Sequence, residues 1–171
     1  MICGYGPSQY GYVGACGMFQ QGNAAFCPLD VSLAFDGPFL NGIVARHGRF
    51  AAMAVIGHEW GHFNQYRLNL LGNGSSYEVN FRNERQADCQ AGIFAAYLQS
   101  QGTIVMSDAN GAYMQFCEAG VPWFDPSGHG DCPTRAGAFA QGYEGAMSNL
   151  TSFCSGTPDE RRQAMLTVCP W

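Results

Sequence analysis

The run His58-Glu59-Trp60-Gly61-His62 sets two imidazoles four residues apart, with a carboxylate beside the first. On an α-helix, positions i and i+4 lie one turn apart on one face. Ring nitrogens at that spacing converge on a single ion. The adjacent carboxylate can then hold a water at that ion and take its proton. The chemistry favoured is metal-assisted hydrolysis. A competing reading of so short a run is two surface histidines with a solvating glutamate. The flanks favour the first reading. Phe50-Ala51-Ala52-Met53-Ala54-Val55-Ile56 is apolar and helix-compatible, no proline interrupts before Leu71, and the motif holds two of the chain's four histidines.

Catalytic zinc sites use three protein ligands and leave the fourth position to water. Glu84, in Asn83-Glu84-Arg85-Gln86-Ala87-Asp88, is the expected third ligand. His58, His62 and Glu84 would then hold one catalytic Zn2+, with Glu59 as general base. Asp88 follows Glu84 by one helical turn and is expected to accept the second ring N–H of a ligating histidine, His58. The alternative for Glu84 and Asp88 is a solvated acid pair near a helix start, where the dipole favours negative charge.

These motifs in combination resemble the bacterial putative neutral zinc metallopeptidase family, with the gluzincin pattern of H-E-x-x-H followed by E-x-x-x-D. The matching segments are Phe26-Cys27-Pro28, Ala54 to His62 with Gln65, Glu84 to Gly92, and His129-Gly130 with Arg135, Phe139 and Gly142. The resemblance runs from about residue 26 to 145. Two departures stand out: Gly57 where the family usually has Ala, and Asp131-Cys132-Pro133 after the His-Gly pair. The resemblance implies an α+β, mainly helical, zincin-like domain. It would have an active-site helix, a Glu-bearing helix and a small β element. It implies a peptide or protein substrate that pairs as an added strand with the segment Val31–Phe35. It also supports a Cys27–Cys89 disulfide, since both cysteines fall inside family-like motifs.

Zinc peptidases commonly place a His or Tyr donor at the oxyanion. His129, in the loop Ser127-Gly128-His129-Gly130-Asp131, is the candidate; the alternative is an ordinary surface-loop histidine. His47 reads as a helix-end residue, favourable near a C-terminal dipole.

Eight cysteines and no C-x-x-C point to disulfides rather than a zinc ribbon, hence to an oxidising compartment. Local pairing suggests Cys3–Cys16, Cys117–Cys132 and Cys154–Cys169. The alternative is free, buried cysteines. The opening Met1-Ile2-Cys3-Gly4-Tyr5-Gly6 has neither a charged n-region nor an apolar h-region. A cysteine-rich chain of this kind is expected to be a trimmed, secreted protein, with the periplasm as the alternative.

At 171 residues the chain reads as one domain with room for a core. Hydrophobic residues make up 47% and charged ones 12%, which argues against disorder. A net charge of −5, with no lysine and scattered arginines, argues against nucleic-acid binding. No apolar run approaches a membrane span. Nothing in the sequence speaks to oligomeric state.

Residues 1–25 are rich in Gly, Tyr and Gln and are expected to wrap the surface as a disulfide-pinned extension. A Tyr-faced substrate-binding arm is the other reading. Val31–Phe35 alternates as a strand. Helices are expected over Phe39–His47, Arg49–Leu71 (stopped by Gly72-Asn73-Gly74) and Phe81–Gln101. Further helices are expected from a Ser107 or Asp108 cap to Glu118, over Pro133–Leu150, and from a Thr157 capping box to Val168. The function this composes is a secreted zinc-dependent endopeptidase; the alternative is an inactive, metal-containing extracellular binding or structural module.

Overall fold

The computed structural model describes residues 1–71, 76–122, 125 and 128–170. It is α+β and mainly helical. A short 3-10 turn at Pro7–Gln9 and five short strands open the chain: β1 (Ile2–Tyr5), β2 (Val13–Gly14), β3 (Gly17–Met18), β4 (Ala24–Cys27) and β5 (Ser32–Asp36). Helices follow: α1 (Gly37–His47), α2 (Arg49–Arg67), α3 (Tyr77–Ser100), α4 (Met106–Glu118), α5 (Cys132–Met147), α6 (Leu150–Ser155) and α7 (Pro158–Val168). No helix among the described residues is long and apolar enough to cross a membrane.

The main sheet has the order β1-β5-β4, with β1 parallel and β4 antiparallel to β5. This corrects two expectations. The N-terminal segment supplies a strand to the sheet rather than only wrapping it. The strand read at Val31–Phe35 starts one residue later, because Val31 turns at φ 53°. That strand is also central, with both edges already paired, so it cannot take up a further strand. Among the described residues, the edge left open on the α2 side belongs to β4.

The helices end where backbone chemistry stops them. α2 closes four residues earlier than expected. Asn69 takes φ 54°, and Leu70 N–H reaches Gln65 O while Asn69 N–H reaches Tyr66 O. These bonds satisfy the last carbonyls of the helix. The expected stop at Gly72-Asn73-Gly74 lies outside the described residues. α3 begins four residues earlier than expected, capped by Ser76 Oγ on Val79 N–H. Asp108 acts inside α4 rather than capping it, accepting Val105 N–H at 2.9 Å. Asp131 caps α5, and Thr157 with Glu160 forms the expected box before α7. α6 was not anticipated; the helix expected to reach Leu150 ends at Met147.

A core of Phe50, Ala54, Ala91, Ala95, Ala112, Phe116 and Phe139 joins α2, α3, α4 and α5. Small residues dominate it, so the helices approach closely. A second cluster, Leu40, Ile43, Ala51 and Ala52 with Phe35, packs α1 between α2 and the sheet.

The disulfides are Cys16–Cys27, Cys89–Cys169 and Cys117–Cys132. Only Cys117–Cys132 follows the expected pairing. Cys27 bonds to Cys16, which excludes both Cys3–Cys16 and Cys27–Cys89. Cys169 bonds to Cys89, which excludes Cys154–Cys169. Cys3 is half-buried and unbonded among the described residues. The reason is spatial: α7 returns to pack Met165, Val168 and Cys169 against α3 beside Cys89.

Candidate metal centre

α2 presents His58 and His62 on one face because they sit one turn apart in continuous helix. α3 brings Glu84 opposite them. The distance between the helices is set by a small pair: a Cβ at Gly61 would lie 2.9 Å from Ala87 Cα. Ala87 stands one turn beyond Glu84, so the close crossing and the carboxylate share one stretch of α3. His58 Nε2 and His62 Nε2 are 3.1 Å apart. Glu84 Oε2 lies 3.3 Å from His58 Nε2, and Glu84 Oε1 lies 3.2 Å from His62 Nε2. The structure thus brings together all three expected ligands.

Both rings are locked from behind. His58 Nδ1 meets Asp88 Oδ1 at 2.6 Å. His62 Nδ1 meets Gln65 Oε1 at 2.8 Å. The Gln65 oxygen is identified by its own amide, since Nε2 donates to Asn83 O at 2.7 Å. Each Nδ1 faces an acceptor, so each carries the proton, and a neutral ring then turns its Nε2 lone pair inward. Two lone pairs at 3.1 Å repel unless a proton or a metal cation lies between them. Tetrahedral zinc with bonds of about 2.0–2.2 Å separates its ligand atoms by about 3.3–3.6 Å. The observed spacings are close to that.

Charge points the same way. Glu59, Glu84 and Asp88 are buried or nearly so, and Arg135 is the buried cation facing them. Three carboxyl groups against one guanidinium make the pocket rich in acidic groups, a setting that suits a cation. Burial opposes charging His58, but Asp88 and then Glu84 outweigh it and push its pKa up to about 10. Burial likewise opposes ionising Glu84, yet His129, His58 and His62 hold its carboxyl well below the usual range. The pocket is built around positive charge. Glu84 Oε2 is buried without a hydrogen bond of good geometry, as suits an atom kept for an ion.

Glu59 Oε1 lies 3.9 Å from His58 Nε2, and its Oε2 accepts Phe26 N–H at 2.8 Å. The carboxylate therefore bridges the ligand helix and β4. His129 comes from the loop before α5, with its Nδ1 3.1 Å from Glu84 Oε2 and its side chain 45% exposed. Gly128 and Gly130, at φ 72° and 88°, shape the loop around it. Cys117–Cys132 joins the ends of α4 and α5 that flank this loop. His47 stands apart, at the end of α1 beside Glu118.

Two supporting residues were not assigned a role from sequence. Gln65 is fully buried, and its i+3 spacing from His62 was a readable sign. Arg135 donates Nε to Asp88 Oδ2 at 2.9 Å and Nη2 to Oδ1 at 2.8 Å, while its guanidinium packs over Phe116. The family resemblance includes Arg135, but nothing local in the sequence assigns it this partner.

With this geometry in place, the comparisons decide the family. The model of the putative neutral zinc metallopeptidase family matches residues 9–149. The chain belongs to that family. A zinc peptidase family fits the His58, His62 and Glu84 cluster. The chain is similar to the uncharacterized protein Rv2575 of Mycobacterium tuberculosis, 36% identical over 81 residues, covering 42% of this chain and 28% of that one. It is also similar to the uncharacterized protein YpfJ of Escherichia coli K12, 34% identical over 96 residues, covering 48% of this chain and 33% of that one. The matched region thus spans a third or less of these relatives' lengths. No solved structure matches.

Proposed function

We propose that this family member is a secreted zinc-dependent endopeptidase, with the periplasm as the alternative location. The observation that carries the reading is the convergence of two inward-facing Nε2 atoms and Glu84 within 3.1–3.3 Å, with both Nδ1 atoms held by acceptors. Zinc bound by His58, His62 and Glu84 would supply Lewis acidity, polarising a carbonyl and acidifying water.

The chain's own groups do the rest. Glu59 is held at Oε2 by Phe26 N–H, which leaves Oε1 toward the ligands. That oxygen takes the proton from the attacking water and passes it to the leaving amine nitrogen. Asp88 and Gln65 keep the His58 and His62 rings in one tautomer. The ring of His129 lines the cleft and is the donor offered to the developing oxyanion. The open edge of β4 takes the substrate main chain by strand addition, the role first expected for Val31–Phe35. Three disulfides support an oxidising compartment.

The test is metal content per chain together with cleavage of a random peptide library. About one zinc per chain and chelator-sensitive cleavage, restored by added zinc, are expected. Stoichiometric zinc without any cleavage would replace this reading with the inactive metal-containing module. Absence of stoichiometric zinc would reject both.

A further inference from the structure

The cleft beside the metal centre is a cavity of about 250 Å³. Its lining includes Ala24 on β4, Glu59 and the apolar groups Phe39, Val55, Phe116 and Val121. Among these apolar groups stands Gln115 of α4. Its side chain is 3% exposed, and its Oε1 is buried with no donor among the described residues. Asp88, by contrast, has its oxygens taken up by Arg135 and His58. An amide oxygen buried without a donor costs stability, so one kept in the lining of the cleft calls for a function.

We infer that Gln115 is a specificity-determining residue, selecting substrates whose side chain beside the scissile bond is neutral and donates a hydrogen bond: a hydroxyl or a carboxamide. The inference rests on the proposed peptidase reading. An extended peptide paired with β4 projects side chains perpendicular to the strand, across the cleft. The apolar lining accepts the body of that side chain, and the donor at its tip satisfies Gln115 Oε1. The terminal torsion of a glutamine is soft, so the amide turns to meet its partner at little cost. A lysine or arginine is disfavoured, because among the described residues no carboxylate other than Glu59 lines this cavity and a charge buried without a partner is costly. A purely apolar side chain leaves the amide unsatisfied.

The experiment compares matched peptides differing by one polar group, Tyr against Phe and Thr against Val, on both sides of the scissile bond. Two readouts are taken: kcat/KM of the zinc-loaded parent, and peptide affinity of the zinc-loaded Glu59→Gln protein. The polar member of each pair is expected to be favoured by about tenfold or more. In Gln115→Met the ratio is expected to fall toward one, with the apolar member handled better than by the parent. Parent cleavage with equal rates within each pair overturns the inference and leaves the peptidase reading intact. A ratio unchanged by Gln115→Met, even with a lowered melting temperature, marks the amide as structural and also overturns it. Selective binding to Glu59→Gln without cleavage by the parent upholds the pocket and sinks the peptidase reading. Neither binding nor cleavage of any pair sinks both.

Discussion

Phe26 and Glu59 are joined, backbone N–H to carboxylate Oε2, at 2.8 Å. The bond ties the edge of β4 to the helix carrying both histidines, so the strand that would receive a substrate also aims the base. Glu59→Gln keeps an acceptor for Phe26 N–H and should retain zinc. It should lose about 10²–10⁴ in kcat, the worth of a positioned base. Casein digestion at the parent's rate would remove Glu59 from the mechanism.

Gln65 holds the second imidazole. Gln65→Leu takes away the acceptor at His62 Nδ1, and zinc affinity should weaken by about 10- to 100-fold. Competition against a chelator of known affinity reads this directly. The variant also loses the bonds to Asn83 O and Gln86 Oε1, so melting temperature is followed separately. Unchanged affinity would mean that Gln65 serves packing alone.

Arg135 is the counter-charge for Asp88. Arg135→Met strands a fully buried carboxylate, and folding stability should drop by about 3–5 kcal/mol. Arg135→Lys restores the charge without the two-pronged contact and should fall between parent and Met variant. Denaturant titration orders the three proteins. Equal stability for parent and Met would show that Asp88 is not charged there.

Two glycines of α5 should respond oppositely to alanine. A Cβ at Gly142 would lie 1.9 Å from Cys89 O, where α3 and α5 cross. A Cβ at Gly137, on the exposed side, meets nothing within 4 Å. Gly142→Ala should destabilise by at least about 1–3 kcal/mol by forcing the helices apart. Gly137→Ala should stabilise by about 0.5–1 kcal/mol through helix propensity. Thermal melts of the pair are the check, and a stabilising Gly142→Ala would contradict the crossing.

Cys89–Cys169 closes a separation of 80 residues. Chain-entropy reasoning gives a loss of about 4–5 kcal/mol when both are replaced by Ala. For a domain of this size that corresponds to a fall of roughly 10 °C or more in melting temperature. A fall of only a degree or two would mean that α7 is held by its apolar contacts alone.

Legibility followed sequence distance. His58 with His62, and Glu84 with Asp88, are set by helical period within single elements. Gln65 lay within the same rule, three residues past His62, and its role was open to the same reasoning. Arg135 was not, because its partner is 47 residues away and reached only through the α3–α5 contact. Cysteine pairing shows the same division. Cys117–Cys132 spans one loop, and proximity in sequence sufficed. Cys89–Cys169 depended on where α7 docks, and Cys16–Cys27 on how the N-terminal segment runs into β4.

By itself the sequence determined the candidate ligand residues, their spacing, most helix limits and the mainly helical class. Each of these depends on neighbours within about one turn of helix. The tertiary structure decided which strand keeps an open edge, which sulfurs meet, what balances Asp88, and that Gln115 faces the cleft. Those outcomes depend on the packing of distant elements. There a single small residue such as Gly61 or Gly142 sets how near two helices come, and no local pattern encodes the result.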